Sequence, residues 1–130
     1  MAEPILVVDD QRELRLLIRL SLLSLGRVET AGTVAEALAQ VENDRPRLIV
    51  LDVSLGAESG LELCRRLKSD PATSGIRILL LSAYGQDADV AAGLAAGADR
   101  YVLKPFSPKD LVAACAELGV LPSEYQARFA

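Results

Sequence analysis

Histidine and tryptophan are absent from these 130 residues, and cysteine occurs only twice. Without histidine the chain has no imidazole base, no histidine metal ligand and no phosphohistidine relay of its own. Cys64 and Cys115 sit in apolar helical patterns without metal-ligand spacing, so they read as small buried hydrophobes. No apolar stretch approaches the ~20 residues that span a bilayer. Met1-Ala2-Glu3-Pro4 lacks the basic start of a signal peptide, and the apolar run after it stops at Asp9. The expectation is a cytoplasmic protein that makes no membrane contact. Excess positive charge is missing as well, since 14 Lys and Arg stand against 18 Asp and Glu, a net charge of −4. Phosphate-backbone binding needs clustered cations, so no nucleic-acid contact is expected through this chain.

What is present is apolar: 51% of residues are hydrophobic, enough to fill one core in a chain of single-domain size. Short apolar runs alternate with longer periodic segments, the pattern of βα repeats around a parallel sheet. Strands are predicted at Ile5 to Val8, Arg27 to Ala31, Leu48 to Leu51, Ile76 to Leu81 and Tyr101 to Leu103. Between and after them, helices are predicted from Glu13 to Leu25, with Leu14, Leu17, Ile18, Leu22 and Leu25 at helical spacing and Gly26 as cap, and from Thr33 to a point before Pro46. Three more follow: one opened by Ser59, one over Gln86 to Ala96, and one capped by Ser107 with Pro108 at its start. Thr33 with Glu36, and Ser59 with Glu62, have the spacing of reciprocal capping boxes. The fourth helix is the weakest, anchored by Val90 and Leu94 and carrying Gly93, which costs about 1 kcal/mol against Ala. The fold class is therefore α/β, five βα units around a parallel sheet.

In an open parallel sheet, ligands bind beyond the carboxyl ends of the strands. Those ends deliver Asp9, Asp10, Asp52, Ser82 and Lys104 to one rim. Carboxylates gathered there repel one another, by about 1 kcal/mol per pair at 4 Å in water and about 4 at an effective dielectric of 20. A cation relieves this, and an all-oxygen donor set completed by water and phosphate describes magnesium better than calcium. Asp52 can act as a nucleophile in aspartyl-phosphate chemistry. Lys104 and Ser82 can hold phosphoryl oxygens, which is most of what phosphoryl transfer requires.

The ordered set resembles the receiver domains of two-component response regulators. It comprises Asp9-Asp10, Asp52, Gly60, Ser82-Ala83, Tyr101 and Lys104-Pro105-Phe106, and the resemblance runs from about Ile5 to Gly119. It implies a doubly wound, flavodoxin-like (βα)5 sandwich in which the strands lie in the order second, first, third, fourth, fifth. The first and last helices then cover one face, which places Cys64 and Cys115 on opposite sides of the sheet, beyond disulfide reach. It implies that Asp52 accepts a phosphoryl group from a sensor histidine kinase, a phosphotransfer protein or a small phosphodonor. It further implies that Asp10, Asp52 and the Ser54 backbone carbonyl bind magnesium directly, with Asp9 acting through water. Lys104 is expected to contact the phosphoryl group ahead of a cis bond to Pro105, Ser82 to move toward the phosphate, and Tyr101 to turn inward behind it. Such a domain catalyses only its own phosphorylation and dephosphorylation. Ser54 and Tyr84 occupy positions that tune the lifetime of the phosphate in the family. Gly56 departs from the proline usual there, so a looser loop after Asp52 is expected. The fourth helix, fifth strand and last helix form the expected face for an output partner or a second copy.

Two other classes share parts of this pattern. A flavin or nucleotide binder of the same architecture needs a Gly- or hydroxyl-rich cradle after the first strand, where this chain has Asp9-Asp10-Gln11. A phosphohydrolase with an aspartyl nucleophile usually places a second acid two residues on, and that position is Ser54. The receiver-like part is expected to span residues 1–119, with 120–130 as a tail or the start of a linker. In that tail Leu121, Tyr125 and Phe129 fall four residues apart, an apolar stripe free to pack on the domain, meet a partner or fray.

Overall fold

The computed structural model describes residues 3–83 and 87–121, without the side chains of residues 87 and 89. At its centre lie five parallel strands: β1 (Ile5–Val8), β2 (Val28–Ala31), β3 (Leu48–Asp52), β4 (Arg77–Ala83) and β5 (Arg100–Lys104). Their order is β2-β1-β3-β4-β5, as the resemblance implies. The helices are α1 (Arg12–Leu22), α2 (Val34–Asn43), α3 (Gly60–Ser69), α4 (Asp87–Ala95) and α5 (Pro108–Glu117).

Central strands covered on both faces need apolar side chains at every position, and β1 and β3 are buried throughout. The pleat sends alternate residues to opposite sides. Leu6, Val8, Ile49, Leu51, Ile78 and Leu80 pack with Ala37 and Val41 of α2 and with Leu63, Cys64 and Leu67 of α3. Ile5, Val7, Leu48, Val50, Leu79 and Leu81 pack with Ile18 and Leu22 of α1 and with Leu111, Ala114 and Cys115 of α5. The two thiols are thus free and lie in different layers, and burial pushes them up to about 11 for Cys64 and about 12 for Cys115.

Several local expectations need correction. The first helix ends at Leu22 and passes into a 3-10 turn over Leu23–Leu25; Leu17 lies on its flank, half-exposed, rather than in the core. Thr33 accepts from the Glu36 amide at 3.1 Å, but the Glu36 carboxylate reaches the Gly32 amide rather than that of Thr33. Ser59 caps α3, yet Glu62 does not complete a box, because its carboxylate pairs with Arg65. The full box is at α5, where Ser107 and Asp110 bond each other's amides at 3.0 and 3.2 Å. Leu94 is 48% exposed and anchors nothing; α4 lies on the sheet at Gly93, where an added Cβ would stand 2.3 Å from Leu80 Cδ1. The small residue lets the helix approach, which offsets its propensity cost.

The loop after Asp52 has backbone pairing of its own. Ser54–Leu55 pairs antiparallel with Glu58–Ser59, closing a two-residue turn that leads into α3. The first residue of α3 then lies on β3 itself: a Cβ at Gly60 would stand 1.9 Å from the Asp52 carbonyl oxygen. Helix propensity alone favours Gly60→Ala. The contact reverses the sign, and Gly60→Ala should lose about 1–3 kcal/mol of unfolding free energy in urea, as overpacking does. A variant as stable as the parent would show that α3 can retreat from the strand.

Candidate functional site

The sheet register sets the rim. Asp52, the last residue of β3, pairs with Leu81, while Ser82 and Ala83 extend one and two residues further and face Leu103 and Lys104 of β5. Lys104 therefore stands two strands away from Asp52, and its long stem crosses the end of β4. Its ammonium donates to Asp52 Oδ2 in a close ion pair. The other oxygen, Oδ1, accepts from the Ser54 amide at 2.8 Å. The Lys104–Pro105 peptide is cis, as expected.

Asp9 follows β1 and is fully buried. Its Oδ1 accepts from the Gln11 amide at 2.8 Å, and its backbone carbonyl accepts from Arg15 at 2.8 Å, so the residue also fixes the entry into α1. Its Oδ2 has no hydrogen-bond partner, and neither has the buried Ser82 Oγ. Desolvation pushes the Asp9 carboxyl up to about 6, opposed by the Gln11 amide and reinforced by the charge of Asp52. Asp10 is exposed, and its Oδ2 lies over the loop after Asp52, 3.3 Å from where a Cβ on Gly56 would stand.

Asp9, Asp52, Ser82 and Lys104 thus share one end of the sheet, with Asp10 at its outer edge. Tyr101 is separate, partly buried in the layer under α2 and α3, with the Arg100 guanidinium 5.9 Å from its ring centroid. Tyr84 lies outside the described residues. Sequence alone offers no steric reason for Gly60 and no hint that Asp9 anchors α1; a Gly at a capped helix start soon after the strand that ends in Asp52 is the signal for the former.

Among the described residues no three acidic, histidine or cysteine side chains close around one point. Magnesium does not require that, because it keeps several waters and takes only one or two protein carboxylates. The donors fit it: all are oxygens, one is a buried carboxylate oxygen without a partner, and a second carboxylate overhangs the same loop.

The response regulator receiver domain model matches residues 5–116, and the chain belongs to that family. The phosphate regulon transcriptional regulatory protein PhoB of Rhizobium meliloti is 41% identical over 114 residues, covering 87% of this chain and 50% of that protein. The DNA-binding response regulator MtrA of Mycolicibacterium smegmatis is 43% identical over 115 residues, covering 87% and 49%. The chain spans about half the length of these relatives. Among solved structures, a receiver domain protein (CheY-like) from Methanospirillum hungatei superposes with a TM-score of 0.81 at 30% identity, covering 91% of this chain and 94% of that one. The receiver domain of NtrX from Brucella abortus gives 0.81 at 29% identity, covering 89% and 97%. Among the described residues no helix is long and apolar enough to cross a membrane.

An Asp9 carboxyl raised from 3.8 to about 6 favours the folded state when protonated. Its penalty is absent below pH 3.8 and grows as pH rises through 6. In chelator-treated buffer at pH 7, Asp9→Asn should raise the unfolding free energy by about 1–3 kcal/mol, an advantage that fades toward pH 4. Added magnesium should stabilise the parent more than the variant. A variant no more stable than the parent at neutral pH would mean that Asp9 bears no such penalty.

Proposed function

We propose that this domain is a phosphorylation-operated interaction switch with Asp52 as the phosphoacceptor. The observation that carries this reading is the Asp52 carboxylate held between the Ser54 amide and the Lys104 ammonium, beside two buried oxygens that lack partners. A nucleophile needs a fixed attack direction and a nearby positive charge for the oxygens it receives.

The donor is a sensor histidine kinase, a phosphotransfer protein or a small phosphodonor. A carboxylate oxygen of Asp52 attacks phosphorus in line, and the bond from phosphorus to the donor breaks. Lys104 then leaves the carboxylate for a phosphoryl oxygen, and the Ser82 hydroxyl donates to another. Asp10, Asp52 and the Ser54 carbonyl would hold magnesium, with Asp9 acting through water, and the ion when bound would supply charge neutralisation for the transferred group. Movement of Ser82 draws Tyr101 inward and alters the surface of α4, β5 and α5, which meets an output partner or a second copy. The domain acts on no separate substrate and works in the cytoplasm. Ser54 and Tyr84 set how long the phosphoryl group persists. A phosphohydrolase is disfavoured because residue 54, two positions past the nucleophile, is an exposed serine rather than an acid.

Acetyl phosphate with magnesium should add about 80 Da, one phosphoryl group, to the intact mass of the parent and nothing to Asp52→Asn. Lys104→Ala should slow the gain about 100-fold, the usual effect of removing one charge-stabilising donor. Labelling of Asp52→Asn at the parent's rate would end the proposal. Tyr84→Ala should lose the phosphoryl group faster than the parent; equal or slower loss would remove Tyr84 from the lifetime role.

A further inference from the structure

Glu58 is exposed, yet its carboxylate is not left to water alone. Its Oε1 accepts from the Val34 amide at 3.2 Å, across 24 positions of the chain. Val34 is the first residue of α2, and its N–H is one of the donors that a helix leaves without an internal partner. Thr33 already caps the Glu36 amide, so Glu58 brings a second acceptor to the same end from a distant loop. A carboxylate there also meets the positive end of the helix dipole. The bond ties α2 to the loop that follows Asp52.

That loop is a small hairpin with an anchor on each strand. Leu55 and Glu58 stand opposite each other in its ladder. Leu55 is buried in the layer against which Val34 also packs. Glu58 holds the other strand to the start of α2. Between them Gly56 turns with a φ of 65°, and the Asp10 carboxylate lies over this glycine. On the strand of Leu55, the Ser54 amide fixes Asp52 Oδ1. The three groups proposed to hold magnesium therefore meet at this hairpin.

We infer that Glu58 is a positioning residue: through its bond to Val34 it fixes the hairpin beneath Asp10 and so raises the magnesium affinity of the rim. It acts through the hairpin backbone and not as a ligand. The inference rests on the reading of the rim as a magnesium site.

The full 130-residue chain, labelled with nitrogen-15 and freed of metal, is titrated with magnesium chloride and followed at the Ser54 and Gly56 amides. Glu58→Ala should weaken binding about two- to fivefold, the size of one exposed helix-end interaction. Glu58→Gln keeps an acceptor oxygen and should stay within about twofold of the parent. Val34→Pro removes the donor at a helix position that suits proline, leaves the Glu58 charge in place, and should weaken binding as Glu58→Ala does. Combining the two should weaken it no further. Without metal, exchange of the Val34 amide should quicken in Glu58→Ala and not in Glu58→Gln. With acetyl phosphate, half-maximal labelling of Glu58→Ala should need more magnesium while the rate at saturating magnesium holds, a split that loss of stability alone does not produce. Parent-like magnesium binding by Glu58→Ala would overturn the inference and leave the phosphoacceptor reading intact. Weakening in Glu58→Ala but not in Val34→Pro would assign the effect to charge and overturn it as well. A parent that binds no magnesium would instead remove the reading on which it rests.

Discussion

The ion pair from Lys104 to Asp52 is the interaction on which the arrangement of the rim depends. A carboxylate almost removed from water needs a compensating charge, and the cost of leaving one unpaired is several kcal/mol. Here the compensating group comes from two strands away, which is possible only because β5 ends level with Ala83 and past Asp52 in the sheet. The parallel sheet gathers every strand's carboxyl end at one edge, and the stagger among those ends lets a long side chain arch over the intervening strand. The Ser54 amide holds the other carboxylate oxygen, so the acid is fixed in orientation as well as neutralised.

Support for this pair extends down into the packing. Gly60 lets α3 lie directly on the Asp52 carbonyl, and the short pairing of Ser54–Leu55 with Glu58–Ser59 closes the loop between them. Asp9 joins the rim to α1 by accepting from the Gln11 amide while its second oxygen stays unsatisfied. An unsatisfied buried carboxylate oxygen lowers stability, and it is retained where a ligand completes its coordination. Rim and core are therefore coupled through backbone contacts at the starts of α1 and α3.

Much of this was legible in the sequence, for identifiable reasons. Runs such as Ile5 to Val8 and Leu48 to Leu51 are short and apolar at every position, which suits a strand buried on both faces, and acids placed directly after them mark the rim. The less legible features are those that depend on distance. Leu17 and Leu94 follow helical spacing yet are exposed, because periodicity gives the direction of a side chain and not what lies opposite it. Glu62 has the spacing of a capping box, but Arg65 competes for its carboxylate one turn on. Gly93 reads as a weakness in α4 until the approach to Leu80 is known. The partner of Lys104 cannot be read from spacing at all, since it follows from the stagger of three strands.

Strict alternation in the sheet has a further consequence. Val7 and Val8 are joined by one peptide bond, yet Val7 belongs with α1 and α5 and Val8 with α2 and α3. Sequence neighbours such as these fall in different layers, while Val8 and Leu51, 43 positions apart, face each other in register within one layer. Side-chain coupling between paired substitutions should therefore be stronger between cross-strand positions on one side, which touch and can compensate or aggravate each other, than between consecutive positions, whose side chains enter different layers.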